Sequence, residues 1–211
     1  MTLLDYMASR ADCAPTIPVI ALEDVDKAVP LARACAAGGI RILEVTLRTS
    51  AGLEAMRRIA AQVSDVLVGA GTVTRRDELK QVLDAGARFA FSPGYDPVLV
   101  DEANKLGIEY IPAVMTPSEV MSALNQGVKL MKLFPVEQAG GIGMLKALYG
   151  PFPTARFCPT GGVNAANAAS FLAQPNVVAV GGAWTVPKAA IDAGDWAAIT
   201  ALAAASLKLR R

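Results

Sequence analysis

The sequence contains no histidine in 211 residues. This absence excludes Ser-His and Cys-His nucleophile pairs and every histidine-ligated metal site. Acid–base chemistry must therefore come from carboxylates, lysines, hydroxyls, tyrosine or water.

Cysteine is also scarce, with only Cys13, Cys35 and Cys158 in the chain. Their number is odd, they lie far apart and none forms a CxxC pair, so neither a zinc knuckle nor a disulfide framework is indicated. We interpret them as reduced structural thiols.

The chain lacks an excess of either charge, since 20 Lys and Arg face 19 Asp and Glu. This balance gives no indication of nucleic-acid or membrane-surface binding. No run of about 20 apolar residues is present. We do not expect the first residues to act as a signal peptide, because Asp5, Arg10 and Asp12 interrupt their apolar residues. We expect a cytoplasmic protein with one domain over 1–211.

Short apolar runs alternate with helical patterns along the chain. Eight such βα units at 20–30-residue spacing predict an α/β fold, a (β/α)₈ TIM barrel with an additional N-terminal helix from about Leu3 to Arg10. A doubly wound open sheet is the alternative. The predicted strands lie near Ile17–Ala21, Ile42–Leu47, Val66–Ala70, Phe89–Ser92, Tyr110–Ala113, Val128–Phe134, Arg156–Cys158 and Val177–Gly181.

The sixth predicted strand carries two lysines, and strand parity separates them. Lys132 shares a face with Leu130 and Phe134, whereas Lys129 lies on the other face. Lys132 also lies towards the carboxyl end, where barrel enzymes have their active sites. Burial disfavours an ammonium ion, and a neutral amine can form a Schiff base with a carbonyl. The alternative is a lysine that reaches solvent or pairs with a carboxylate.

The second predicted strand has a polar face. Period two places Glu44, Thr46 and Arg48 together. Glu44 can move protons, and Arg48 can bind a substrate carboxylate through two parallel hydrogen bonds. A structural Glu–Arg pair remains an equal alternative.

Glycine pairs follow the last two predicted strands: Gly161-Gly162 after the seventh and Gly181-Gly182 after the eighth. Barrel enzymes often hold a phosphate at these two loops, because glycines let backbone N–H groups approach an oxyanion. Tight βα turns without a ligand are the alternative.

Five motifs in order resemble one family, the 2-keto-3-deoxy-6-phosphogluconate (KDPG) aldolases, which overlap with 4-hydroxy-2-oxoglutarate (KHG) aldolases. The motifs are Glu44-Val-Thr-Leu-Arg48-Thr, Gly69-Ala-Gly-Thr-Val73, Ser92-Pro-Gly94, Lys132-Leu-Phe-Pro-Val-Glu137 and Phe157-Cys-Pro-Thr-Gly-Gly-Val163. The resemblance implies a homotrimeric barrel lyase that needs no metal or organic cofactor. The implied reaction is the Entner–Doudoroff cleavage of 2-dehydro-3-deoxy-6-phosphogluconate to pyruvate and glyceraldehyde 3-phosphate.

The resemblance also assigns roles by motif. Lys132 matches the Schiff-base lysine and Glu44 the general acid/base. The residues that match substrate-binding positions are Arg48, Thr72 and Pro93 around the pyruvyl carboxylate, Phe134 as a wall, and Thr160, Gly161, Gly162, Gly181 and Gly182 on the phosphate side.

Two positions depart from the family pattern. Ala183 replaces a serine that many members have after the eighth strand, and Pro15-Thr16-Ile17 stands where some members have an arginine. Both changes remove groups from the phosphate side and leave the pyruvate side intact. An aldolase for another acceptor, such as 4-hydroxy-2-oxoglutarate or 2-dehydro-3-deoxy-6-phosphogalactonate, is therefore the alternative function. An isomerase or epimerase and a silent metabolite-binding protein are more distant alternatives.

Overall fold

The computed structural model describes residues 2–10 and 12–209, and strands alternate with helices along them. The strands are β1 Thr16–Ile20, β2 Ile42–Thr46, β3 Leu67–Gly71, β4 Phe89–Phe91, β5 Glu109–Ile111, β6 Ala113–Val114, β7 Leu130–Leu133, β8 Arg156–Pro159 and β9 Val180–Gly182. The helices are α1 Leu3–Ser9, α2 Ala28–Ala37, α3 Gly52–Gln62, α4 Arg76–Asp84, α5 Pro97–Leu106, α6 Pro117–Asn125, α7 Gly141–Tyr149, α8 Ala168–Leu172, α9 Lys188–Ala193 and α10 Trp196–Leu207.

Local signals in the sequence set several helix ends. Thr116 caps α6 through its hydroxyl, and Glu119 bonds back to the Thr116 N–H in a reciprocal capping box. Pro117 begins that helix, where its missing N–H is not needed. Helix α5 ends at Gly107, whose left-handed backbone (φ 71°) suits glycine.

All strand pairs are parallel. A six-stranded sheet has the order β5-β4-β3-β2-β1-β9, and a three-stranded sheet has the order β6-β7-β8. Two isolated parallel bridges, Phe157 to Val177 and Thr160 to Gly181, link the β8 region to the β9 region. The α/β character of the fold agrees with the sequence prediction.

The strand predicted at Tyr110–Ala113 is divided in the structure into β5 and β6. The interruption is Pro112, which has no N–H to donate to a strand ladder. Its carbonyl still accepts a hydrogen bond from the Lys132 N–H at 2.8 Å. Pro112 therefore contributes to the pairing of this segment with β7.

The buried apolar residues form two clusters on opposite faces of the strands. The outer cluster packs between strands and helices and includes Leu43, Val45, Met131 and Leu133. The inner cluster lies on the other face of the strands, and Leu3 and Tyr6 of α1 belong to it. Further inner members are Ile17, Ile42, Phe89, Phe91, Ile111, Leu130 and Cys158.

Helix α9 has no counterpart in the sequence prediction. It spans only six residues after Pro187, too few for an amphipathic period to be recognised. Within residues 2–10 and 12–209, no helix has the length and apolar character needed to cross a membrane.

Candidate active site

Lys132 lies on the inner face of β7, on the side that strand parity predicts it shares with Leu130. Its neighbour Leu130 belongs to the inner cluster, while Met131 and Leu133 belong to the outer one. The side chain of Lys132 is only 5% exposed, near the carboxyl end of the strand. Lys129, by contrast, is exposed and lies before the strand begins.

Glu44 is the direct partner of this lysine. Lys132 Nζ lies 2.9 Å from Glu44 Oε1 and donates a second hydrogen bond to Oε2 at 3.1 Å. Glu44 is 1% exposed, so both charges are withdrawn from water and each compensates the other. Breaking such a pair leaves one buried charge unpaired, which makes the pair a strong determinant of local geometry.

Gly71 makes room for the Glu44 carboxylate. A Cβ atom at Gly71 would lie 2.2 Å from Glu44 Oε1. A side chain at position 71 would therefore displace the carboxylate from Lys132.

The other two polar residues of the β2 motif have hydrogen-bond partners away from Glu44. Thr46 is fully buried and donates its hydroxyl hydrogen to the Ile20 carbonyl at 3.0 Å. Arg48 lies in the turn beyond β2, is exposed, and donates from Nε to Thr72 Oγ1 at 3.2 Å. Glu44 thus pairs with Lys132 across 88 residues of sequence, and the structural Glu–Arg alternative does not describe this site.

Thr72 adopts a left-handed backbone with φ 64°, which is unfavourable for a β-branched residue. Such outliers are often found where a site requires one geometry. Here the strained residue follows β3 and accepts the hydrogen bond from Arg48. Arg48 and Thr72 therefore form one unit at the carboxyl ends of β2 and β3.

Two aromatic rings flank the amine. The centroid of Phe91 lies 4.7 Å from Lys132 Nζ, and that of Phe134 lies 5.8 Å away. Phe134 was predicted as a wall residue, whereas Phe91 was missed. Its signal was available, because period two in Phe89-Ala90-Phe91 places both phenylalanines on one face.

Pro93 lies on the surface in the bend after β4. This bend follows the carboxyl end of β4, at the same end of the strands as Arg48 and Thr72.

The two glycine pairs lie together beside Thr160. Thr160 and Gly181 form a parallel bridge, and a Cβ atom at Gly181 would lie 2.3 Å from Thr160 Oγ1. Gly161 and Gly162 have φ values of 93° and 92°, which only glycine adopts readily. Gly182 lies under the Trp184 ring, where a Cβ atom would be 2.2 Å from the ring edge.

An acidic side chain lies beside these glycines, which the sequence patterns did not indicate. A Cβ atom at Gly162 would be 2.3 Å from the carboxyl carbon of Glu137. Glu137 also donates its N–H to the Gly161 carbonyl at 3.3 Å. A carboxylate at this position opposes a phosphate dianion unless the Glu137 side chain turns away.

The register of β7 and β8 connects the two parts of the site. Lys132 is paired with Cys158, and Thr160 follows two residues later. Burial raises the pKa of the Cys158 thiol to about 12, although the neighbouring Lys132 opposes that effect. Cys158 is 1% exposed, so the interior beside Lys132 is shielded from solvent.

The arrangement supplies a buried amine, a carboxylate in contact with it, and an exposed guanidinium just beyond the carboxyl end of β2. This set can perform imine formation and proton transfer. Among the residues the structure describes, no group of three or more His, Cys, Asp or Glu side chains is arranged to hold a metal ion.

Comparisons with known proteins agree with this chemistry. The family model described as KDPG and KHG aldolase matches residues 7–202. The 2-dehydro-3-deoxy-phosphogluconate aldolase of Pseudoalteromonas atlantica is 49% identical over 189 residues, which cover 90% of this chain and 88% of that protein. The KHG/KDPG aldolase of Escherichia coli K12 is 47% identical, with coverage of 90% and 89%.

Solved structures are similar over nearly the whole chain. The KDPG aldolase of Legionella pneumophila, with pyruvate captured as a covalent carbinolamine intermediate, is 46% identical with a TM-score of 0.89 and coverage of 92% and 95%. The 2-keto-3-deoxy-6-phosphogluconate aldolase of Zymomonas mobilis with 3-phosphoglycerate is 39% identical, with a TM-score of 0.89 and coverage of 97% and 96%.

Proposed function

This chain belongs to the KDPG and KHG aldolase family, and from that membership we propose that it is a class I aldolase with its Schiff base on Lys132. The reaction is reversible cleavage of 2-dehydro-3-deoxy-6-phosphogluconate to pyruvate and glyceraldehyde 3-phosphate. One observation carries the proposal: the Lys132 amine and the Glu44 carboxylate are buried together at 2.9 Å. This contact joins a nucleophile to a proton carrier in one dry site.

Imine formation begins with proton transfer from the Lys132 ammonium to Glu44. The neutral Nζ attacks the C2 carbonyl of the keto acid, and a proton moves from nitrogen to oxygen to give a carbinolamine. Glu44 then protonates the carbinolamine hydroxyl, which leaves as water. The product is an iminium ion, and Glu44 is again a carboxylate.

Carbon–carbon cleavage uses the same two residues. Glu44 takes the proton of the C4 hydroxyl, the C3–C4 bond breaks, and its electron pair moves into the iminium to give a neutral enamine. The aldehyde is released. Glu44 returns the proton to C3, and hydrolysis of the iminium by water releases pyruvate and regenerates Lys132.

Arg48 and Thr72 bind the pyruvyl carboxylate in this proposal. The Arg48 guanidinium is held by the Thr72 hydroxyl at 3.2 Å and keeps other N–H groups for a carboxylate. Phe134 forms a wall near the amine, and Pro93 borders the carboxylate side.

The glycine end binds the distal part of the substrate. Thr160 contacts a substrate hydroxyl, and backbone N–H groups of Gly161, Gly162, Gly181 and Gly182 take the phosphate. The left-handed backbone at Gly161 and Gly162 supports this assignment, because N–H groups in such turns can converge on an anion.

We further infer that 1–211 act as one domain and that the strands form a single closed (β/α)₈ barrel. The bridge between Thr160 and Gly181 supports closure on one side, and the continuity of β5 and β6 through Pro112 supports it on the other. A cytoplasmic homotrimer belongs to the same proposal. Light scattering coupled to size-exclusion chromatography tests the trimer.

Trapping with borohydride tests the Schiff base directly. Pyruvate plus sodium borohydride is expected to leave a reduced adduct on Lys132, identified by peptide mass spectrometry. The matched control is Lys129→Ala, which removes the exposed lysine three residues away and should leave the adduct unchanged. Folded wild-type protein that forms no adduct, or forms it on Lys129, would contradict the proposal.

A second substrate is favoured by Ala183 at the glycine end. A methyl group where the family pattern has a hydroxyl reduces affinity for a phosphate. This feature favours an acceptor without phosphate, such as the glyoxylate released from 4-hydroxy-2-oxoglutarate. Comparison of kcat/KM for the phosphorylated and unphosphorylated substrates, with pyruvate detection, separates the two.

A further inference from the structure

Phe91 is the aromatic residue nearest to the reactive amine. It is fully buried on β4, and its ring centroid lies 4.7 Å from Lys132 Nζ, closer than that of Phe134. We propose that Phe91 is a positioning residue whose ring favours the cationic forms of the Lys132 nitrogen over the neutral forms. This inference rests on the proposed aldolase function and adds a residue to its site.

The reaction alternates between the two kinds of nitrogen. The ammonium and the iminium are cations, whereas the amine, the carbinolamine and the enamine are neutral. The face of an aromatic ring is negative and attracts a cation placed over it, more strongly when both are removed from water. Phe91 therefore assists loss of water from the carbinolamine, which creates the iminium, and opposes loss of the proton from the ammonium.

The ring is held in this orientation by its neighbours. Phe89 meets Phe91 edge to face, with centroids 5.4 Å apart and planes at 79°. Phe89 is fixed in turn by Gly69, where a Cβ atom would lie 2.3 Å from the Phe89 ring. A continuous series of contacts on the inner face therefore runs from Gly69 through Phe89 and Phe91 to Lys132.

Two titratable groups lie near the same nitrogen, in addition to the Phe134 ring. The Glu44 carboxylate reaches it from β2 at 2.9 Å, and Cys158 is paired with Lys132 in the β7–β8 register. Burial raises the pKa of Cys158 to about 12, so the thiol is neutral under assay conditions. Glu44 is then the charged partner, and it must remain intact in any test of Phe91.

Fluorinated phenylalanines at position 91 test the ring without changing its shape. Successive fluorine atoms weaken the negative face. The readout is acetylation of Lys132 by acetic anhydride against pH, without pyruvate, and exposed Lys129 is the internal standard. Across the series we expect the acetylation midpoint of Lys132 to move to lower pH by up to about one unit.

Phe157 provides the matched control, because it is equally buried but belongs to the outer cluster on β8. The same series at Phe157 should leave the midpoint fixed. Above the acetylation midpoint, where the amine is already neutral, Phe91→Leu should slow formation of borohydride-trappable iminium about 3- to 30-fold, and Phe157→Leu should not.

The outcomes separate this inference from the function on which it rests. The role of Phe91 is overturned if the acetylation midpoint stays constant across the fluorinated series at position 91, or shifts equally in the series at position 157. This holds even if pyruvate still forms its adduct. Folded wild-type protein without an adduct overturns the aldolase and this inference together. A graded shift at 91 alone, with an adduct on Lys132, supports both.

Discussion

The candidate site has two ends that are built differently. At the lysine end, Lys132 and Glu44 are 5% and 1% exposed, and each side chain has the other as partner. At the glycine end, which comprises Thr160, Gly161, Gly162, Gly181 and Gly182, backbone takes the place of long side chains, and Gly162 is exposed. One end is a buried ion pair, and the other is formed mainly by glycine backbone.

This difference separates chemistry from substrate choice. Two buried charges stabilise each other only in close contact, and in the proposed function this contact carries out the chemistry. In the proposed function, backbone N–H groups at the glycine end donate to the substrate, and neighbouring residues such as Ala183 affect which substrate is preferred. We therefore expect substitutions at the lysine end to affect rate and those at the glycine end to affect affinity.

The largest expected effect is at Glu44. Glu44→Gln removes the proton carrier and should lower turnover on the order of 10³-fold, measured as pyruvate release. A pyruvate adduct on Lys132 should still form, more slowly. Turnover within about threefold of wild type would assign proton transfer to another group.

The Lys132–Glu44 pair is also expected to affect the free energy of unfolding. Lys132→Met leaves Glu44 buried without its cation and should lower the free energy of unfolding by about 3–5 kcal/mol near neutral pH. The double variant Lys132→Met/Glu44→Gln should recover much of this loss, because no buried charge remains. Urea denaturation measures both. If the double variant is no more stable than the single one, the unpaired charge of Glu44 is not the cause of the lost stability.

Two glycine substitutions compare the ends directly. Gly71→Ala pushes a methyl group into Glu44 Oε1 and should lower kcat about 100-fold. Gly181→Ala pushes one into Thr160 Oγ1 and should raise KM about tenfold, while exchange of the pyruvate methyl hydrogens continues. Gly143→Ala is the control, since it meets nothing within 4 Å. Equal loss of kcat in both variants would remove the distinction between the ends.

The dryness of the lysine end predicts a loss of stability at high pH. Burial raises the pKa of Cys158 from 9.0 to about 12, so the folded protein keeps this proton while the unfolded chain loses it first. The contribution is therefore complete below pH 9 and is lost as the pH rises towards 12, by about 1.4 kcal/mol per pH unit. Urea denaturation of wild type and Cys158→Ala between about pH 8 and about pH 10 measures it. Identical slopes would indicate that water reaches the thiol.

The smallest expected effect is at Ala183. Ala183→Ser adds a hydroxyl at the exposed edge of the glycine end and should lower KM for the phosphorylated substrate about 2- to 10-fold. The unphosphorylated substrate should be unaffected, and kcat should not change. A similar gain for both substrates would place the new hydroxyl outside the phosphate subsite.

Much of the fold was predictable because strand and helix signals are local. The predicted parity of Lys132 against Met131 and Leu133 is confirmed by the two apolar clusters. The errors arose where local pattern is weak or interrupted: Pro112 divides one predicted strand, and α9 is too short to show a period.

The site was predictable in composition more than in contacts. Glu44, Thr46 and Arg48 share strand parity, yet they have three different partners: Lys132, the Ile20 carbonyl and Thr72. Parity gives the face of a strand but not the distance across the interior. Nor does a sequence motif indicate that Glu137 lies against Gly162.

The sequence by itself determined the family through its motifs, the α/β pattern, and the face that Lys132 shares with Leu130. The shared face follows from side-chain alternation, which depends on backbone geometry alone. Only the tertiary structure decided that Glu44 and Phe91 meet Lys132 at 2.9 Å and 4.7 Å. Those contacts join β2, β4 and β7, and strands far apart in sequence meet only when the sheet curves and their inner side chains pack together. Desolvation then fixes the pair, because neither buried charge is stable without the other.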